Sequence, residues 1–204
     1  MKDEMDILRE VGSIAAAHGG MALSEILGKK ITLLMPSIDM VSCNNISKKL
    51  GAKETGITVV CRIFTGLKGE SAFILDERNA FKLLGLSPSV SDVDKKSELI
   101  TEMGMSTIKE IGSIVINAYL SAISVILKRV ILSLPPTLIS GTISEIINII
   151  IASSGVDDYA LLIEAVFEEP EQKIKGSFYL LLSQKAAADI RAACEQMLED
   201  LKKQ

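Results

Sequence analysis

Two glutamate–serine pairs are the residues of this chain best suited to chemistry. Glu10 stands three residues before Ser13, and Glu110 three before Ser113. Positions i and i+3 share a helix face, with Cβ atoms about 5–6 Å apart. One turn earlier, at i−4 from each glutamate, stand Asp6 and Ser106. Each set makes a polar stripe on an otherwise apolar segment. A carboxylate can anchor a cation, and a hydroxyl can donate to or accept from a water or an anion. The plain alternative is a solvated surface carboxylate beside a serine that permits close packing. Spacing alone favours that alternative. The return of the stripe one hundred positions on weighs against it, because drift readily erases a bland glutamate in one copy.

Other chemistries fit these residues less well. A serine nucleophile needs a neighbouring base. The single histidine, His18, follows Ser13 by five residues and lies off its face, so it reads as a packed or surface residue. Cys43, Cys61 and Cys194 are odd in number and far apart. They match no zinc or redox spacing and read as unbridged thiols of a reducing compartment. Gly66-Leu67-Lys68-Gly69 lacks the spacing of a phosphate loop and reads as a hairpin turn. Asn45-Ile46-Ser47 matches a glycosylation acceptor, which carries little weight in an intracellular chain. The net charge is −4, and basic residues come in scattered pairs such as Lys29-Lys30 and Lys95-Lys96. A nucleic-acid binder needs basic stripes instead.

The elements that must position the two stripes follow from periodicity. The chain has 204 residues, 48% apolar and 24% charged, enough for a sizeable core. Met5, Leu8, Val11, Ile14 and Ala15 recur at helical spacing and predict a helix over residues 3–28, ended by Gly28. Lys29 to Met40 reads as a strand whose Pro36 marks an edge or a bulge. Ile57–Phe64 and Ser71–Leu75 read as a hairpin, and Asp76 as the cap of a short helix ending near Gly85. Residues 86–94 (LSPSVSDVD) read as a linker, with Ser91 and Asp94 as a capping box for a second long helix to about Lys128. A strand into Pro135-Pro136, a helix over Ser140–Ser153 and a hairpin of Tyr159–Phe167 with Lys173–Leu182 follow. A last helix after Ser183 buries Ile190, Cys194, Met197 and Leu201.

The halves share this order because the chain is duplicated. Residues 6–36 return as 106–136, with matches including Gly12/Gly112, Ile14/Ile114, Ala22/Ala122, Ser24/Ser124, Leu27/Leu127 and Pro36/Pro136. The expectation is an α+β fold: one internally duplicated, pseudo-twofold domain over 1–204, with repeats of about 1–88 and 92–204. Its hairpins join in one antiparallel sheet with the long helices packed on it. The uncharged run Ile111–Leu127 is slightly short for a membrane span and carries Ser113, Asn117, Ser121 and Ser124, so it reads as a buried amphipathic helix. The amino-terminal MKDEMD is too polar for a secretory signal, and the expected location is the cytoplasm.

Asp6/Ser106, Glu10/Glu110 and Pro36/Pro136, with the EIGSI run at 110–114 and LPP at 134–136, resemble the signature of the CheC/CheX/FliY family. That signature reads D/S-x-x-x-E-x-x-N, with a proline 23 positions after the asparagine. The resemblance spans nearly the whole chain. It implies dephosphorylation of a CheY-type chemotaxis response regulator. Glu10 and Glu110 would meet a regulator lysine, and the family's asparagine amide would orient the water that attacks the aspartyl phosphate. No cofactor of its own is implied; the regulator holds the magnesium. Here the asparagine is replaced at both positions, by Ser13 and Ser113. Serine is shorter by roughly 1–2 Å, and a misplacement of about 1 Å can cost on the order of 10²-fold in rate. The implied phosphatase is therefore weak. The alternative is a catalytically inactive module that acts through CheD, receptor-methylation control or the flagellar switch. A scaffold with no regulator contact would bury both glutamates.

Overall fold

A computed structural model describes residues 2–50, 54–86, 101–155 and 158–202. The first half runs α1 (Lys2–Leu27), β1 (Thr32–Ser42), α2 (Cys43–Leu50), β2 (Thr55–Thr65), β3 (Gly69–Asp76) and α3 (Glu77–Leu86). The second half runs α4 (Glu102–Leu127), β4 (Leu132–Ser133), β5 (Thr137–Thr142), α5 (Ile143–Ser154), β6 (Tyr159–Glu169), β7 (Ile174–Ser183) and α6 (Gln184–Lys202).

All strand pairs are antiparallel, in the order β1-β6-β7-β3-β2, with β4 and β5 both pairing along β2. The β3–β7 pair lies at the centre, and the halves repeat each other around it. Ser42 faces Tyr159 and Thr142 faces Thr55. Cys43 N–H donates to the Asp158 carbonyl at 2.9 Å, and Ile143 N–H to the Glu54 carbonyl at 3.0 Å. The long helices close alike as well. Gly28 and Lys128 adopt φ of 60° and 50°, and the hydroxyls of Ser24 and Ser124 donate to the carbonyls of Lys29 and Arg129. The expected duplicated α+β fold is the observed one.

Alternation along the strands makes two cores, one on each face of the sheet. Ile57, Val59, Cys61, Phe73, Ile163 and Phe167 pack under α1 and α4. Val60, Ala72, Ile74, Leu162 and Leu181 pack under Ile46 of α2 and Ile146, Ile147 and Ile150 of α5. By length and composition α4 is apolar enough to cross a membrane, but half of its apolar window is buried in the fold. Ile108, Val115, Ile116 and Tyr119 are wholly enclosed, so α4 is a core helix.

Five details differ from the sequence reading. Cys43–Leu50 is a helix although CNNISKKL carries little apolar signal; Ile46 is buried in the second core and Cys43 packs against it. The helix expected from Ser140 starts at Ile143, because Thr142 and Glu145 form a reciprocal capping box, and residues 137–142 pair with β2 as a strand. The proline-bearing strand of the second half is split into β4 and β5. Pro135 and Pro136 both lack an N–H, whereas Pro36 causes only a register shift between Leu34 and Ser37. Ile14, expected on the core face, is 40% exposed. The second long helix, expected to run on from a Ser91–Asp94 box, starts instead at Glu102, because Thr101 is extended and its side chain accepts from the Gly104 N–H. The box itself and most of the expected linker fall within 87–100, outside the described residues, as do the side chains of Met197 and Leu201.

Candidate functional site

Glycine decides which way the two stripes face. An added Cβ at Gly112 would lie 2.6 Å from Cγ2 of Val59, and at Gly12 3.0 Å from Cδ1 of Ile38. Both glycines thus turn toward the sheet and let their helices lie close on it. At 100° per residue, positions 6, 10, 13 and 17 fall within about 60° of one another and roughly opposite position 12. The same holds for 106, 110, 113 and 117. The stripes therefore face outward: Asp6, Glu10, Ser106 and Glu110 are exposed, and Ser13 and Ser113 are half-buried.

The helices that carry the stripes pack side by side. The Tyr119 hydroxyl donates to the Gly12 carbonyl at 3.4 Å, and a Cβ on Gly19 would meet Val115 at 3.6 Å. Contacts that rise along one helix while falling along the other mean that α1 and α4 run antiparallel. This crossing sets Glu10 beside the turn around residue 121. The two glutamates are thus about 16 Å apart along the helix axes, from a rise of about 1.5 Å per residue. They make two separate stations, not one paired-carboxylate centre.

The stations have different neighbours. In the first, Arg9 Nη1 bonds Asp6 Oδ1 at 2.9 Å; both side chains are more than half exposed, so the pair contributes little stability. In the second, Asn117 Nδ2 donates to Ser113 Oγ at 3.3 Å, and Ser133 Oγ donates to Asn117 Oδ1 at 3.4 Å. Ser133 lies on β4 opposite Ile63 and turns toward α4. Beside it is the buried Cys61 thiol. Burial pushes that thiol up to about 11, and Lys109 and the Ser133 hydroxyl lower it only in part. Cys61 is thus protonated at neutral pH and unsuited to nucleophilic attack.

Pro36 sits at the register shift of β1, with its side chain outside the described residues. Pro136 is half-buried between β4 and β5. His18 is exposed. Among the described residues no cluster of His, Cys, Asp and Glu has metal-binding geometry, and no disulfide forms. The sequence places Asn117 one turn beyond Ser113, too far on to stand in for an asparagine at 113, and does not reveal its contact with Ser133. The available signal was the one-hundred-residue offset, which sets Ser133 against Leu33 and Asn117 against Ala17.

No family model matches the chain. The CheY-P phosphatase CheC of Bacillus subtilis (strain 168) is 24% identical over 184 residues, 88% of each chain. The crystal structure of Thermotoga maritima FliY superposes with a TM-score of 0.76 at 20% identity, covering 96% of this chain and 98% of that one. A chain of the CheX–CheY–BeF3–Mg2+ complex from Borrelia burgdorferi matches with a TM-score of 0.54 at 18% identity, covering 86% and 97%.

Proposed function

We propose that this chain, which shares its fold with FliY and CheX and is 24% identical to CheC, is a CheC/CheX/FliY-like protein that docks a phosphorylated CheY-type response regulator through its outward helix stripes. The observation that carries this reading is the exposure of Glu10 and Glu110, each beside a half-buried serine, Ser13 or Ser113, on helices whose other faces are core. Ile14 and Ile114, 40% and 39% exposed, flank the glutamates and supply apolar contact.

In this reading each glutamate pairs with a lysine of the regulator. The serine hydroxyl holds a water against the aspartyl phosphate. The water oxygen bonds to phosphorus, the bond from phosphorus to the aspartyl oxygen breaks, and aspartate and inorganic phosphate leave, with the water's proton passing to solvent. The magnesium ion belongs to the regulator. The helix contributes position rather than new bonds, like the water-orienting glutamine of GTPases. Serine reaches less far than asparagine, so hydrolysis is slow. A cytoplasmic location accompanies such a partner.

Phosphate release from a phosphorylated CheY-type regulator tests the reading. Glu10→Ala and Glu110→Ala together abolish the release, and Ser113→Asn raises it about 10-fold or more. Release that is insensitive to both alanine changes rejects the assignment. The substitution of serine at both stations favours a second reading, in which docking persists without hydrolysis and the module acts through CheD, receptor methylation or the flagellar switch. Binding of the phosphorylated regulator with no phosphate release, before and after Ser→Asn, selects it.

A further inference from the structure

We propose that Asn117, held by Ser133, is a positioning residue that fixes the Ser113 hydroxyl and makes the second station the better anion-recognising one. This inference rests on the reading that the stripes dock a phosphorylated regulator.

Asn117 follows Ser113 by four residues, which places it on the same stripe about 6 Å further along the axis. Its own amide is too far on to take the place of an asparagine at 113. It can act through the serine instead. The Asn117 amide donates to Ser113 Oγ at 3.3 Å while Ser133 Oγ donates to Asn117 Oδ1 at 3.4 Å. The chain of contacts runs from a strand, through an amide, to the hydroxyl at the docking face. A free serine hydroxyl rotates among its staggered positions. One that accepts a bond from an amide on one side has its own proton turned away from that side, free to donate to an anion. Both bonds are long, as such contacts commonly are before a ligand seats.

The split strand is what makes this possible. Ser133 belongs to β4, which pairs with β2 through Ile63 and Thr65 and ends before Pro135-Pro136. The first half has Ala17 in place of Asn117 and Leu33 in place of Ser133. Neither offers a side-chain donor or acceptor, so nothing equivalent reaches Ser13 from those positions. The duplication therefore keeps two stripes and equips one of them.

The test is the affinity of the full chain for a CheY-type regulator with and without beryllofluoride on its aspartate. The anion-dependent gain in affinity is the readout, because it exists whether or not hydrolysis occurs. Asn117→Ala and Ser133→Ala are expected to reduce that gain about 10-fold, the scale of one hydrogen bond to a charged group. They lower the anion-dependent gain more than they lower affinity for the unloaded regulator, whereas a merely structural role would lower both alike. Adding Ser113→Asn to Asn117→Ala restores the gain. If Glu110→Ala removes the gain and Asn117→Ala leaves it whole, the proposal is overturned while the docking reading stands. If the unaltered chain shows no anion-dependent gain, the docking reading fails and takes the proposal with it.

Discussion

Adding one methyl group at each of the paired glycines should have unequal consequences. At Gly112 the new Cβ meets Val59 at 2.6 Å from Cγ2 and 2.8 Å from Cβ. Val59 is wholly buried in a strand paired on both sides, by β3 and β5. Its branched side chain is stiff, and its Cβ moves only with the backbone. Reaching an ordinary contact near 3.6 Å requires α4 to rise by about 1 Å. Overpacking of this kind costs about 1–3 kcal/mol, and exchanging glycine for alanine in a helix returns about 1 kcal/mol. Gly112→Ala should therefore destabilise by up to about 2 kcal/mol, a fall of up to roughly 8 °C in Tm for a chain of this size. At Gly12 the nearest atom is Cδ1 of Ile38, at 3.0 Å. That methyl ends a flexible side chain and can turn aside, so Gly12→Ala should lie within about 0.5 kcal/mol of the original chain once helix propensity is included. Urea and thermal unfolding of the two variants decide the matter. Equal losses, or a stabilised Gly112→Ala, would refute the view that Gly112 sets the height of α4 over the sheet. The same 1 Å rise displaces Glu110 and Ser113, so the proposed docking of a regulator should weaken in Gly112→Ala as well.

Thr142→Ala removes the side-chain half of the capping box on α5 and should cost about 1 kcal/mol in denaturant unfolding. Glu70, 2% exposed, bonds Arg62 Nε at 3.0 Å and Ser153 Oγ at 2.8 Å. Glu70→Gln keeps the shape and loses the charge-assisted contact, for about 1–2 kcal/mol in the same assay. Stability should fall on the alkaline side. Burial raises Cys61 from 9.0 to about 11 and raises Tyr119 well above its ordinary 10.0. From about pH 9 upward the unfolded chain releases protons that the folded chain retains, so their contribution is complete below that pH and is lost as pH rises through the folded values. Denaturant midpoints measured from pH 8 to 11 check this; a flat profile would contradict it.

Much of the fold was legible because its signals are local. Apolar residues at helical spacing marked both long helices, and Gly28 marked the end of the first, where φ is positive. Asp76 and Ser183 cap α3 and α6 as their sequence positions suggested. What escaped the sequence was set by distant partners. Helix α2 has few apolar residues and is held under the sheet by Ile46, with Cys43 packed against the same core. Strand β5 exists because β2 presents a ladder to residues 137–142.

For the candidate site the division is similar. The one-hundred-residue repeat of Glu-x-x-Ser, and the serine standing where an asparagine was expected, are properties of the chain itself. Helical geometry then fixes that the members of each stripe share a face, since that depends only on 100° per residue. The direction of that face was not determined locally. It follows from Gly12 and Gly112 meeting Ile38 and Val59, residues of strands far away in sequence. Nor could periodicity show that the two stations differ. Ser133 reaches Asn117 only because β4 folds back beside α4 on the edge of β2, a pairing made by tertiary packing.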